Sequence, residues 1–326
     1  MAHLVETMAY VGQTPWHGLG SQLPEHQPLE VWAKAAGMDW TIESSPVHYI
    51  TAGNRPMGDL LAYPEQQVLY RSDTKAPLSV VSRRYQVVQP EEILAFYRDL
   101  TEQAGFELDT AGVLKGGRKM WALARTGQTG VLAGEDRING YLLLATACDG
   151  TMATTAQFTS VRVVCNNTLA VSLAEQGARK VTVPHSTRFD ADRVKQQLGI
   201  SVAGWHGFMD RLKALSDRPV TSKEAERFIE RILVPEGLDQ WRKRFRKDAA
   251  VPRAMKQVHD LYQGQGRGSY LPSANGTAFG LLSAVTEFVD HERRARNTDY
   301  RLDSAWFGPG AQLKQTAFEE ALALVA

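Results

Sequence analysis

A chain of 326 residues, 43% of them hydrophobic, is long enough for one large domain or two ordinary ones around a substantial core. Its 37 Lys and Arg against 36 Asp and Glu leave a formal net charge of +1, so nothing pulls the whole molecule toward polyanions and a nucleic-acid surface has to be a local patch. Two cysteines exclude a disulfide framework; the opening MAHLVETMAYVGQ lacks the basic and apolar regions of a secretory signal, and no run reaches membrane-spanning length, so a cytoplasmic protein is expected.

Residues 1–45 read as an arm or lead-in. They hold Trp16, Trp32 and Trp40, a turn-rich TPWHGLG, and a short helix, PLEVWAKAAG, that Gly37 can end. Residues 46–185 read as an α+β sheet domain. Strand-like runs begin at Trp40 with WTIESSPVHYI and continue through QQVLYRS, LSVVS, FELDTAGVL, RKMWALAR, GYLLLATAC, TTAQFTSVRVV and KVTVP. Their short links make the sheet mostly antiparallel.

Two helices are expected within that domain. PEEILAFYRDLTEQAG starts with Pro90 and two acids, spaces Ile93, Leu94, Tyr97 and Leu100 for a core, and meets a stop at Gly105. NNTLAVSLAEQG offers an Asn cap at 166, apolar Leu169, Val171 and Leu173, and a closing Gly177. Residues 186–326 read as a helical C-terminal region with windows at 190–217, 221–234, 238–263, 276–296 and 310–326. GQGRGSYLPSANGT, with four Gly and no periodicity, reads as a loop between the last long helices. The fold class is therefore α+β, a mostly antiparallel sheet with packed helices followed by a helical region.

Catalytic and metal chemistry find little footing. CDGTMA reads as a hairpin turn, which keeps Cys148 apart from Cys165, and no Cys-x-x-Cys or helically spaced His pair suggests a metal, so no cofactor is expected. Cys165 reads as a buried residue at a strand-to-helix corner. Asp149 and Asn167 could form a polar site, but Asp-Gly is a turn signal and Asn a cap signal. The eight His are scattered, and GVLKGGRK lacks the end of a phosphate loop and suits a hairpin turn.

Cations interleaved with aromatics are the more specific signal. SRRYQ (Arg83, Arg84, Tyr85), KGGRKMW (Lys115, Arg118, Lys119, Trp121) and SVRVV (Arg162) all fall in the sheet region, where turn cations can grip phosphates and an aromatic ring can stack on a base. WRKRFRK at 241–247 is a further basic run, equally readable as an amphipathic helix with solvated charges.

The segments SVVSRRYQVVQPEEILAFYRDL, GGRKMWALA, the Asp-Gly-Thr turn, RVVCNNTL and the late GTAFGLLSAVTEFVDHERR and LKQTAFEEAL, in this order, resemble the phage/plasmid-like protein family of the domain of unknown function DUF932. The resemblance implies an association with mobile elements and carries over no catalytic residue. The sheet-then-helix layout is also loosely similar to Rad52-type annealing proteins of phages, which form rings and bind single strands along a basic groove. The leading expectation is a mobile-element protein that binds single-stranded nucleic acid, DNA favoured, as a homo-oligomer or ring, with annealing as its activity. The nucleic-acid-binding residues expected are Arg83, Arg84, Tyr85, Lys115, Arg118, Lys119 and Arg162. Two alternatives stand beside it: a hydrolase or nucleic-acid-processing enzyme around Asp149, Asn167, Cys165 or a His, and a protein that engages a host factor.

Overall fold

The computed structural model describes residues 7–12, 20–52, 58–98, 100, 105–164, 167–170, 180–198, 202–234 and 250–326. It is α+β, with antiparallel sheets and a helical C-terminal region. Two compact units divide the chain, one from residues 1–126, 142–157 and 180–200, the other from 127–141, 158–179 and 201–326. Each is assembled from three separate stretches, so no single cut in the sequence separates them.

An eight-stranded sheet takes β1 (Met8–Val11), β2 (Ser21–Leu23), β6 (Glu107–Leu114), β7 (Lys119–Leu132), β8 (Asp136–Ala147), β9 (Thr154–Arg162), β10 (Asn167–Ala170) and β11 (Val181–Val183). Its order is β10-β9-β8-β7-β6-β1-β2, with β11 also paired to β9. The lead-in thus supplies strands: β1 is buried throughout and runs antiparallel to β6, with Ala9 opposite Ala111. A second sheet of three strands, β3 (Ile42–Ile50), β4 (Leu60–Arg71) and β5 (Pro77–Ser82), is antiparallel in the order β3-β4-β5.

In the first unit α1 (Leu29–Ala35) buries Trp32 and ends ahead of Gly37, as its sequence predicts. Helix α2 (Pro90–Ala95) begins at Pro90, where the Glu92 carboxylate accepts the Gln89 N–H at 2.7 Å and the Gln89 side-chain amide pairs with the N–H and C=O of Ile42 in β3. Just past it Tyr97 is fully buried, and its hydroxyl shares its one proton between the carbonyls of Ala122 in β7 (2.7 Å) and Leu142 in β8 (3.0 Å). A buried hydroxyl needs such partners, and these two fix the segment after α2 on the sheet. Helix α3 (Ala191–Leu198) follows β11.

The helix expected from Asn166 is corrected over 167–170, and the rest of it, 166 and 171–177, lies outside the described residues. Residues 167–170 form β10, antiparallel to β9, with Asn167 opposite Arg162 and Leu169 opposite Ser160.

The second unit is built from α4 (Val202–Asp217), α5 (Ser222–Leu233), α6 (Ala250–Asp260), α7 (Ala278–Glu287), α8 (Thr298–Phe307) and α9 (Pro309–Ala323). Phe208, Leu212, Phe228, Ile229, Leu281, Val285 and Phe318 lie in its core. Helix α5 has a full capping box, Thr221 with Glu224, braced by Arg218 on Glu224 at 2.7 Å. α6 and α7 each end in a π-helical turn, at Leu261–Gln265 and Phe288–Glu292. The stretch expected as a loop, 264–277, lies between them as a series of turns and is seated in this unit. Gly280 in α7 shows how tightly, because a Cβ there would fall 1.9 Å from the carbonyl oxygen of Ala274.

Candidate nucleic-acid interface

In the first unit, segments far apart in sequence converge on the end of β8. The Tyr85 hydroxyl donates to the Ala147 carbonyl at 2.6 Å, and the Ser79 hydroxyl donates to the Cys148 carbonyl. From the other side the Cys148 N–H donates to the Arg118 carbonyl at 2.9 Å. The turn after β5, which carries Arg83 and Arg84, and the turn between β6 and β7, which carries Lys115 and Arg118, therefore flank one hairpin end. Each turn has its own local cause. After β5 the Tyr85 N–H closes back on the Ser82 carbonyl. Between β6 and β7 Gly117 has φ +100° and packs on Trp40, where a Cβ would come within 2.9 Å of the ring.

Arg83, Arg84 and Arg118 are exposed on this rim, and Lys115 is partly buried. Arg71 lies nearby with its guanidinium over Trp40, 4.2 Å from the ring centroid, and with a fork of hydrogen bonds to Asp73 that holds that carboxyl down at about 2. Asp149 is at the same hairpin end, but its carboxylate accepts from the N–H and hydroxyl of Thr151 and serves its own turn. Cys148 is buried, and burial pushes its thiol up to about 12, the reverse of what a nucleophile needs.

Three expected ligands stand differently. Tyr85 is half-buried, its hydroxyl is committed to Ala147, burial raises its pKa, and His185 stacks on its ring with centroids 4.4 Å apart. It builds the rim rather than presenting a free ring. Lys119 is buried on β7, at 5% exposure. Arg162 is corrected as a surface ligand, because it is buried in the second unit with both oxygens of Asp136 within 3.0 Å of its Nε, Gly268 O 2.9 Å from Nη2, and the Phe279 ring beneath its guanidinium. Cys165, Asn166 and WRKRFRK lie outside the described residues.

Sequence reasoning missed the buried polar network of the second unit. Ser273 donates to Asp136 at 2.6 Å, so Asp136 with Arg162 seats the 264–277 stretch. Lys314 donates to Thr168 (2.6 Å) and Asp290 (2.7 Å), and Asp290 also accepts the Thr168 N–H, which ties β10 to α9 and to the π-helical turn after α7. Burial lowers the Lys314 pKa against the opposing pull of Asp290. The adjoining cavity, lined by Ser160, Arg162, Thr168, Ser283 and Thr286 among others, measures about 30 Å³, the room of one water molecule. Asp136 and Arg162 are 26 residues apart and Asp290 and Thr168 are 122, separations at which no local pattern reveals a pair.

A larger cleft of about 180 Å³ opens in the first unit between His26, Trp32, Arg98, Glu107 and Arg125. Arg125 reaches Asp109 at 3.1 Å, yet burial, aided by Glu107, raises that carboxyl to about 6. Among the described residues no three His, Cys, Asp or Glu side chains are grouped to hold a metal, and no helix is long and apolar enough to cross a membrane.

The family model described as a domain of unknown function (DUF932) matches residues 77–306. No curated protein matches the chain, and no solved structure does.

Proposed function

The chain belongs to the DUF932 family, and we propose that it binds single-stranded nucleic acid along the cationic rim at the end of β8. The observation that carries this reading is the convergence of Arg83 and Arg84 with Lys115 and Arg118 on Ala147–Cys148, although the two turns are about thirty residues apart in sequence. Exposed guanidinium groups at turns beside a strand end grip phosphates without reading bases, so the binding is sequence-tolerant and weakens steeply with salt. DNA is the favoured strand, as the resemblance to phage and plasmid proteins suggests, and a cytoplasmic homo-oligomer that anneals strands fits the same reading. Of the groups weighed for bond cleavage, Asp149 is held in its own turn and Cys165 lies outside the described residues.

A gel-shift titration with single- and double-stranded oligonucleotides at two salt concentrations tests the proposal. Single strands should shift at low salt and be released at high salt. No shift at low salt would sink the reading.

A further inference from the structure

Past the π-helical turn after α7, the second unit places Arg293, Arg294, Arg296 and Arg301 in one short stretch, ERRARNTDYR at 292–301. Arg267 joins them from the turns before α7. Its guanidinium donates to Nδ1 of His291 at 3.0 Å, and the Arg301 guanidinium donates to the carbonyl of the same residue at 2.6 Å. One histidine thus gathers two cations from either side of α7 in sequence. The carboxylates of the region leave these cations unneutralised at the surface. Of the four acids in 287–301, Asp290 is taken by Lys314 and Thr168, Asp299 is 2% exposed, and Glu287, 4% exposed, directs its oxygens to the Arg267 backbone N–H at 2.9 and 3.1 Å. Only Glu292 among them is exposed. Arg294 is exposed with no hydrogen bond or ion pair among the described residues, and Nη1 of Arg293 is buried without a partner.

Charges that only keep a surface wetted are mixed in sign, and these are nearly all of one sign. Aromatic rings stand among them. The Arg296 guanidinium lies over the Tyr300 ring, 5.0 Å from its centroid, so this exposed cation is presented on a support. Tyr270, three residues on from Arg267, is in a turn closed by the Leu271 N–H on the Gly268 carbonyl at 3.2 Å. It is 74% exposed, and no described residue stacks on its ring or bonds its hydroxyl. A bare ring beside bare guanidinium groups matches a nucleotide, whose phosphate pairs with planar forks and whose base stacks. An anionic lipid surface engages the cations alone. Over 292–301 the one aliphatic side chain is Ala295, so nothing in the stretch enters a bilayer and a membrane is the poorer match.

We infer that the second unit has a phosphate-binding face of its own, in which Arg267, Arg294 and Arg296 hold phosphates of a single nucleic-acid strand and Tyr270 stacks on a base. It takes the same ligand class as the rim at the end of β8 but shares none of its residues, so either site can fail without the other. Fluorescence anisotropy of labelled oligothymidine on the full chain, at several salt concentrations, tests it in the wild type and in the Arg83→Ala, Arg84→Ala variant. Arg294→Ala with Arg296→Ala should make the slope of log affinity against log salt shallower by about 1.4 in both backgrounds, near 0.7 per lost phosphate contact. Lys at the same two positions should keep the slope. Tyr270→Ala should weaken binding about tenfold and leave the slope unchanged, as the loss of one stacked base does. Circular dichroism and melting of all three variants should match the wild type, because the side chains replaced are exposed. An unchanged slope and affinity in the folded Arg294→Ala, Arg296→Ala variant overturns the inference, whatever the rim variant does. So does a wild-type chain that binds no oligothymidine but sediments with phosphatidylserine vesicles through these arginines, which would assign the face to lipid. A flattened slope here beside an unchanged one in the rim variant upholds this face and removes the rim.

Discussion

The ring of Tyr85 lies nearly flat on the imidazole of His185, with planes 16° apart, while its hydroxyl holds the Ala147 carbonyl. Such a tyrosine is a strut between the turn after β5 and the end of β8. Tyr85→Phe should cost about 1 kcal/mol through the lost hydrogen bond and leave strand binding within twofold. Tyr85→Ala should cost about 3 kcal/mol by cavity formation, seen as a lower melting temperature before any binding is measured. A fully stable Tyr85→Ala with a large loss of affinity would make the ring a base platform instead.

Removal of rim cations should change the salt dependence more than the fold. Arg83→Ala with Arg84→Ala should make the slope of log affinity against log salt shallower by about 1.4 for single strands, near 0.7 per lost phosphate contact. The effect should be the same for oligonucleotides of any sequence. Fluorescence anisotropy at several salt concentrations measures it, and an unchanged slope in a folded variant would remove these arginines from the interface.

Arg162 should behave as a structural residue. Arg162→Met leaves Asp136 buried without its counter-charge and should cost about 3–5 kcal/mol. Replacing both partners, Arg162→Met with Asp136→Leu, should recover much of that loss, although Ser273 also loses its acceptor. Urea denaturation of the single and double variants gives the coupling energy directly.

Asp109 should leave a mark on the pH dependence of stability. The unfolded carboxyl titrates near 3.8 and the folded one near 6, so between these values the folded chain holds the extra proton. Stability from this group is full below about pH 4, falls as pH rises to about 6, and stays lost above. Asp109→Asn should abolish that fall, a difference of no more than about 3 kcal/mol between the two ends of the window. Melting temperatures of the two proteins from pH 4 to pH 7 test the sign as well as the size.

Cys148 should resist alkylation until the chain unfolds, because its thiol is buried and held protonated by its surroundings. Mass-spectrometric mapping after iodoacetamide treatment at neutral pH should find it modified only in denaturant. Rapid labelling in the folded protein would contradict the burial.

Local signals were legible wherever the cause was local. Pro90 with its acids started α2, Asp149-Gly150 turned β8 into β9, and the glycines at 116 and 117 joined β6 to β7. The misreading at 167–170 came from weighing an asparagine cap above pairing with β9, a partner that no local pattern names. The rim was visible in part because turn cations stay near strand ends in any sheet. Arg162 looked no different from Arg118 in sequence, and only the fold reveals that one is buried against Asp136 while the other is exposed.

Gly280 carries a longer consequence. Helical propensity alone makes glycine a poor choice inside a helix, by about 1 kcal/mol against alanine. Yet the smallest replacement would drive its methyl carbon into the Ala274 carbonyl. A lineage of such chains would have a one-letter alphabet at this position, held there by the turn that precedes the helix rather than by the helix itself. Drift could reach it only after the 264–277 segment had changed its path.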